Sequence, residues 1–255
     1  MSALRARCPD CRTLTAVAVD SGYQCHSCGR EYAAGLVRVP RAWGKGGEAM
    51  AEAAFLPLPY PETAIVQQSS LVEQTAALAE RLPVRPLVAG GCCCAHVGAV
   101  RGLAARGGRL AVVWLDAHGD LNTPDTSPSG NEWGMPLRML LDDAVVAPED
   151  VALVGARNLD PPEYDYIAAM GIDDSLERAL AGVDRAYVAL DLDVLDPFAA
   201  EMFMPEPNGP GAGELETILR DVAARTSLAG LGVTGMLPKA ENVPIVVRLL
   251  AAAGF

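Results

Sequence analysis

Leu110-Ala-Val-Val-Trp-Leu-Asp-Ala-His-Gly-Asp120 is an apolar run that stops abruptly at Asp116, His118 and Asp120. Bounded by Gly107-Gly108 before it and a polar loop after it, the run predicts a buried parallel strand, too short for a helix. The acids then stand at its carboxyl end, where open α/β sheets form their ligand crevices. Ala186-Tyr-Val-Ala-Leu190 repeats the pattern and runs into Asp191-Leu-Asp193-Val-Leu-Asp196-Pro197. Alternation along a strand would put Asp191 and Asp193 on one face, aimed at a common centre. Four acids and an imidazole at two strand tips form a hard, oxygen-rich site for two divalent metals.

Working outward, the chain alternates. Residues 69–80 carry hydroxyl caps and helical spacing, residues 86–89 read as a short strand ending in Gly90-Gly91, and a helix near 95–105 leads to the central strand. Beyond the loop 116–133 the pattern predicts a helix near 135–142, a strand near 151–155 and helical segments within 161–182. After the second acid-bearing strand, residues 213–226, 228–233 and 242–253 read as helix, strand, helix. Such alternation predicts an α/β fold with a central parallel sheet covered on both faces. Pro40, Pro57, Pro59 and Pro61 with Gly44, Gly46 and Gly47 mark 40–63 as a linker or irregular lead-in, which makes 64–255 the main domain and 1–39 a separate module.

The chain has 255 residues, 51% of them hydrophobic and only 5% aromatic, so an aliphatic core is expected. A net charge of −12 disfavours nucleic acid or an anionic membrane as the main partner. No apolar stretch is long enough to cross a bilayer, and Met1-Ser-Ala-Leu-Arg-Ala-Arg7 is followed by no apolar signal core, so a cytoplasmic protein is expected. Charge is uneven, with seven Lys or Arg against three acids in residues 1–45.

All seven cysteines fall in two clusters, which points to metal chemistry in a reducing compartment rather than to secreted disulfides. Cys8-Pro-Asp-Cys11 and Cys25-His-Ser-Cys28 have the pattern of a zinc ribbon, two knuckles whose four thiolates can close around one structural zinc. Residues 13–24 between them read as a hairpin. So short a module buries little apolar surface, and metal would supply much of its stability. It carries no aromatic platform or basic helix, so a scaffold or interaction role is favoured over nucleic-acid binding.

Three motifs carry a family resemblance: Asp116-Ala-His-Gly-Asp-Leu-Asn-Thr-Pro124, Ser127-Pro-Ser-Gly-Asn131 with Gly134-Met-Pro136, and Leu190-Asp-Leu-Asp-Val-Leu-Asp-Pro197. In order and spacing they resemble the signatures of the arginase and agmatinase (ureohydrolase) superfamily, over roughly residues 50 to 255. The resemblance implies a three-layer arginase-like fold, a homo-oligomer (trimer or hexamer) and two manganese ions. By similarity Asp116 and Asp191 would bridge the metals, Asp120 would bind the first, and His118 with Asp193 the second. Paired cations acidify the water held between them, which then attacks the guanidino carbon.

The sequence departs from the family pattern at three places. Cys93 stands where a histidine would bind the first metal, and a thiolate there would favour zinc, iron, cobalt or nickel. His96, three residues on, is the alternative ligand and, with Asp120, a candidate catalytic residue. Trp133 stands where a histidine relays protons to the leaving amine; losing a general acid costs about 10²- to 10⁴-fold in rate, although an indole could stack on a planar cation. Aligned on Pro238, Gly235 replaces the glutamate that pairs with guanidinium, for which Glu206, Glu214 and Glu241 are candidate substitutes. The amino-acid end of the pocket is better kept: Asn122, Ser127 and Ser129 match positions that bind an α-carboxylate, and Asp160 and Glu163 match those that hold the α-amino group. The expected substrate is therefore an arginine-like amino acid, with an N-modified one such as N-hydroxyarginine as the sharper version. A non-catalytic arginase-like scaffold, its ribbon binding a partner, is the alternative.

Overall fold

The computed structural model describes residues 5–255. Residues 1–4, the start of the stretch read for a signal core, lie outside the described residues. A small antiparallel sheet comes first, β1 (Ala16–Val19), β2 (Gly22–Cys25) and β3 (Glu31–Tyr32). The large sheet is built from β4 (Gly35–Val39), β5 (Glu62–Ile65), β6 (Pro86–Gly90), β7 (Leu110–Leu115), β8 (Val151–Val154), β9 (Arg185–Asp191) and β10 (Leu228–Thr234). Its order is β5-β4-β6-β10-β9-β7-β8, and every neighbouring pair is parallel. The helices are α1 (Glu48–Ala51), α2 (Leu71–Arg81), α3 (Cys94–Ala104), α4 (Pro136–Asp142), α5 (Pro161–Met170), α6 (Leu176–Ala179), α7 (Ala212–Arg225) and α8 (Asn242–Ala252).

Strand alternation sorts the core into two layers. Ala111, Val113 and Leu115 of β7 pack with Leu215 and Leu219 of α7 and Leu249 of α8, whereas Val112 and Trp114 pack with Leu78 of α2, Val100 of α3 and Leu140 of α4. This is the expected sheet with helices on both faces. Local chemistry sets the helix starts. Ser70 caps α2 by accepting the Glu73 N–H at 3.2 Å, an interaction of about 1 kcal/mol. At the start of α5 Glu163 accepts the N–H of the N-cap residue Asp160 at 2.8 Å, one half of a capping box, with Pro161 in the first turn.

One segment differs from the sequence reading. Gly35–Val39, assigned above to the ribbon, is a fully buried strand of the large sheet, so the module closes before residue 39. Its Arg38 masks the apolar run, but in the fold that guanidinium is neutralised by Glu62 at 2.6 Å. Of the two readings of 40–63 the irregular lead-in fits, since the stretch contains the short α1, a 3-10 turn and the start of β5. Among the described residues no helix is long and apolar enough to cross a membrane.

Leaving β6 on one side, the chain crosses to β7 on the other, and β10 and β9 later fill the gap between them. The crevice above that reversal is where β6, β10, β9 and β7 end side by side. Cys93 follows β6, Thr234 and Gly235 close β10, Asp191 closes β9, and Asp116 follows β7.

Candidate metal centre

The four strand ends converge on the floor of a cavity of about 260 Å³, which Cys93, Asp116, His118, Asp120, Asp191 and Asp193 all line. Two ligand groups overlap there: the donor atoms of Cys93, Asp116 and Asp120 lie within 4.8 Å of one another, and so do those of Asp116, His118 and Asp193. Asp116 belongs to both. Asp191 adjoins both, its Oδ2 lying 2.9 Å from the Cys93 sulfur and its Oδ1 accepting the Asp193 N–H at 3.0 Å. His118 turns Nδ1 toward Asp193 Oδ2 at 3.0 Å and Asp116 Oδ1 at 3.4 Å.

Backbone and neighbouring donors fix these carboxylates. Asp116 accepts from the His118 N–H and the Trp114 indole N–H, at 2.7 and 3.2 Å, and Asp193 accepts from the Ala117 N–H at 3.0 Å. Asp193 does not reach the centre by strand alternation, as the sequence reading expected. β9 ends at Asp191, and a 3-10 turn over Leu192–Val194 swings Asp193 inward. Arg157 secures that turn by donating to the carbonyls of Asp193, Val194, Leu195 and Glu206. Asp120 has a left-handed backbone at φ 53°, a conformation aspartate tolerates better than most residues.

The electrostatics ask for cations. Asp116, Asp120, Asp191 and Asp193 are at most 6% exposed, and burying that many carboxylates costs several kcal/mol each unless positive charge compensates. Burial and the Asp193 charge raise Asp191 to about 7, and burial with the Asp116 charge raises Asp193 to about 6. Burial, then the charge of Asp116, pushes Asp120 well above the carboxylate range. Burial alone would lower His118, but its hydrogen bonds to Asp116 and Asp193 push it up to about 12. Asp120 Oδ2 is buried with no hydrogen-bond partner among the described residues. An orphaned carboxylate oxygen facing a thiol, an imidazole and further carboxylates fits a pair of divalent cations.

His96 is not brought to this cluster, which corrects its reading as alternative ligand or proton relay. Fully buried, it bonds Tyr187 Oη through Nδ1 at 2.9 Å and Thr234 Oγ1 through Nε2 at 3.1 Å. Burial lowers its pKa to about 3, so it stays neutral. It is a core histidine that braces Thr234, whose hydroxyl donates to Asp191 Oδ2 at 3.1 Å.

At the outer end, Asn122, Ser127, Ser129, Trp133, Asp160 and Glu163 all line the cavity. The Asn122 amide donates to Asp160 at 2.8 Å. Glu163 is a brace: its two oxygens accept the Leu121 and Asp160 N–H groups at 2.9 and 2.8 Å, which leaves Asp160 as the carboxylate facing the opening. Of the three acids considered as substitutes for the missing glutamate, Glu206 reaches the site, 3.7 Å from His118 Nε2 and held by the Asn158 amide at 2.7 Å. Glu214 caps the Gly211 N–H of α7, and Glu241 is the N-cap residue of α8.

Sequence reasoning missed the apolar wall formed by Met50, Cys92, Phe203 and Met204. Phe203 N–H donates to Gly235 O at 2.9 Å, and its ring meets Trp133 edge-on at 5.7 Å. These residues come from segments far apart in sequence with no shared periodicity, so no local signal marks them.

With the geometry in place, comparison with known proteins gives a consistent result. A family model described as the Arginase family matches residues 50–253. The chain is similar to the arginase of Staphylococcus aureus (strain COL), 37% identical over 140 residues that cover 44% of this chain and 46% of that protein. Against the arginase of Bacillus subtilis (strain 168) the figures are 38% over 141 residues, 44% and 47%. The chain thus spans about half the length of the curated relatives it matches. Among solved structures, arginase from Bacillus subtilis aligns with a TM-score of 0.76 at 23% identity, covering 86% of this chain and 97% of that one. Formimidoylglutamase from the same species aligns at 0.72 and 18% identity, covering 87% of each chain. These structural likenesses bear out the fold, and the family match, which takes in the three acid- and serine-bearing motifs between 116 and 197 but not the ribbon, decides the lineage: the chain belongs to the Arginase family.

Proposed function

We propose that this protein is a metal-dependent hydrolase that cleaves a C–N bond in the guanidino or amidino group of an α-amino acid. The observation that carries the reading is Asp116, shared by two ligand groups on the floor of a cavity whose outer rim is polar. Two divalent cations bound there would supply Lewis acidity and lower the pKa of water. Cys93, Asp116 and Asp120 would hold one, Asp116, His118 and Asp193 the other, with Asp191 between them. Manganese is the family's metal, and the Cys93 sulfur tilts the first position toward zinc, iron, cobalt or nickel. His118 presents Nδ1 to the carboxylate centre, while its Nε2, 3.7 Å from Glu206, is buried without a hydrogen-bond partner among the described residues.

The rim then orients the amino-acid end. Ser127, Ser129 and Asn122 offer uncharged donors to a carboxylate, and Asp160 offers a counter-charge to an ammonium. The reacting group meets a different surface. Phe203, its ring against Trp133, stands beside Gly235, where the family pattern has an acid, so a full guanidinium cation finds no dedicated partner there. A buried cation without one is penalised, and a less basic N-modified group such as that of N-hydroxyarginine is not. In either substrate the leaving group is the ornithine side-chain amine, so with Trp133 in place of a relay histidine its protonation falls to another donor, for which Asp120 is the candidate. Free thiols at all seven cysteines suit a reducing cytoplasm, and the homo-oligomer implied by the resemblance belongs to the same proposal.

The test is hydrolysis of arginine, N-hydroxyarginine and agmatine by protein loaded in turn with manganese, zinc and cobalt. N-hydroxyarginine is expected to give ornithine and hydroxyurea faster than arginine gives urea, with agmatine slowest. No turnover of any guanidino or amidino amino acid at full metal loading would leave the arginase-like scaffold as the correct reading.

A further inference from the structure

The ribbon contains a second cluster. The sulfurs of Cys8, Cys11, Cys25 and Cys28 all lie within 4.8 Å of one another. Cys8 and Cys28 are 3.7 Å apart and Cys11 and Cys25 3.5 Å. A disulfide needs about 2.05 Å, whereas four sulfurs about 2.3 Å from one tetrahedral zinc stand about 3.8 Å from each other. Thr13 and Thr15 set hydroxyls 3.0 and 3.3 Å from the Cys11 and Cys25 sulfurs, donors that favour the thiolate form. Little else holds the module together, since its core is Ala6, Cys8, Ala16, Tyr23 and Cys25.

The module sits on an edge of the large sheet. β5 is an outer strand, and its first residue, Glu62, exchanges both backbone hydrogen bonds with Arg7, each 3.0 Å. Glu62 also accepts from Arg38 Nε at 2.6 Å, while Arg38 Nη1 donates to the carbonyls of Ala54 and Leu56 at 2.5 and 3.1 Å. Arg38 is buried, so its three partners are obligatory. Residues 54 and 56 continue directly from α1, whose Met50 lines the cavity.

We propose that Cys8, Cys11, Cys25 and Cys28 bind one zinc ion, and that this zinc fastens the module over the β5 edge and, through Glu62 and Arg38, holds the segment that walls the cavity. A soft tetrathiolate set selects zinc over the manganese that suits carboxylates. The bridge at Glu62 also occupies the start of an edge that could pair with another chain. Glu62 and Arg38 are positioning residues here, because neither touches the cavity.

Cobalt substitution and amide exchange test both halves on the full chain. On a Cys93→Ser background, which removes the thiolate from the carboxylate centre, metal-free protein titrated with cobalt should show intense tetrathiolate absorption amounting to one such cobalt per chain, removed by zinc and lost when Cys28→Ser is added. Amides in 54–65 should exchange about tenfold faster in Cys28→Ser than in the zinc-loaded wild type. Should that variant not fold, wild type refilled with manganese alone, which leaves the thiolates empty, gives the same comparison. Absence of a tetrathiolate band overturns the site, and a band typical of bound iron overturns its identity. Unchanged exchange at 54–65 after zinc loss overturns the coupling. None of these readouts depends on hydrolysis, so they stand or fall apart from the proposed activity.

Discussion

Gly235 and Asp191 share one corner of the site: the glycine is left-handed at φ +68°, and a Cβ built on it would overlap the Asp191 carboxylate. The position at which the family pattern carries a glutamate is therefore closed to any side chain by a candidate metal-binding group. Gly235→Ala is expected to cost about 1–3 kcal/mol through the backbone alone and to displace Asp191 as well. Gly235→Glu should lower metal content rather than install arginase-like substrate binding. Melting temperature and metal analysis check this, and a Gly235→Glu protein with full metal content and improved arginine hydrolysis would refute it.

Cys93 lies 2.9 Å from Asp191 and 3.6 Å from Asp116, in the place of a ligating histidine. Cys93→His should shift preference toward manganese, and Cys93→Ser should weaken zinc and cobalt more than manganese. Competitive metal titration of the variants reads the order directly.

The carboxylate cluster also sets a pH dependence. Asp191 and Asp193, raised to about 7 and about 6, hold protons when folded that an unfolded aspartate has released above about 3.9. Stability of protein freed of metal at this cluster should therefore fall as pH rises from about 4 to about 7. His118, raised to about 12, continues the fall above its unfolded value of about 6.5. Manganese reverses the trend, because binding releases those protons and tightens with pH. Melting curves with and without manganese should slope in opposite directions.

His96 was legible as a histidine near the metal-binding loop, but not as a core residue, because its partners Tyr187 and Thr234 arrive from strands about a hundred residues away. His96→Ala leaves a cavity and strips the buried Tyr187 hydroxyl of its partner, while Thr234 keeps Asp191, at a cost of about 3 kcal/mol. Melting temperature should drop while the pH–rate profile keeps its shape; a lost limb of that profile would restore a catalytic role.

What the sequence disclosed follows one rule. Strands buried on both faces and ending in acids are visible as local patterns, so β7 and β9 could be read with Asp116, His118, Asp120 and Asp191 at their tips. Partners brought in by tertiary contact could not. Arg38 hid β4 because its neutralising Glu62 lies 24 residues on, and Asp193 reaches the centre by a turn the alternation rule does not foresee. The apolar wall of Met50, Cys92, Phe203 and Met204 exists only once three segments meet.

The central claim is that two cations share Asp116. Crystals of the protein supplied with manganese or zinc, examined by anomalous scattering at each metal's absorption edge, test it most directly. The account predicts two peaks flanking Asp116, one against Cys93 and Asp120 and one against His118 and Asp193, both abolished in Asp116→Asn. An empty cluster with every metal supplied, or peaks that persist without the Asp116 carboxylate, would contradict it.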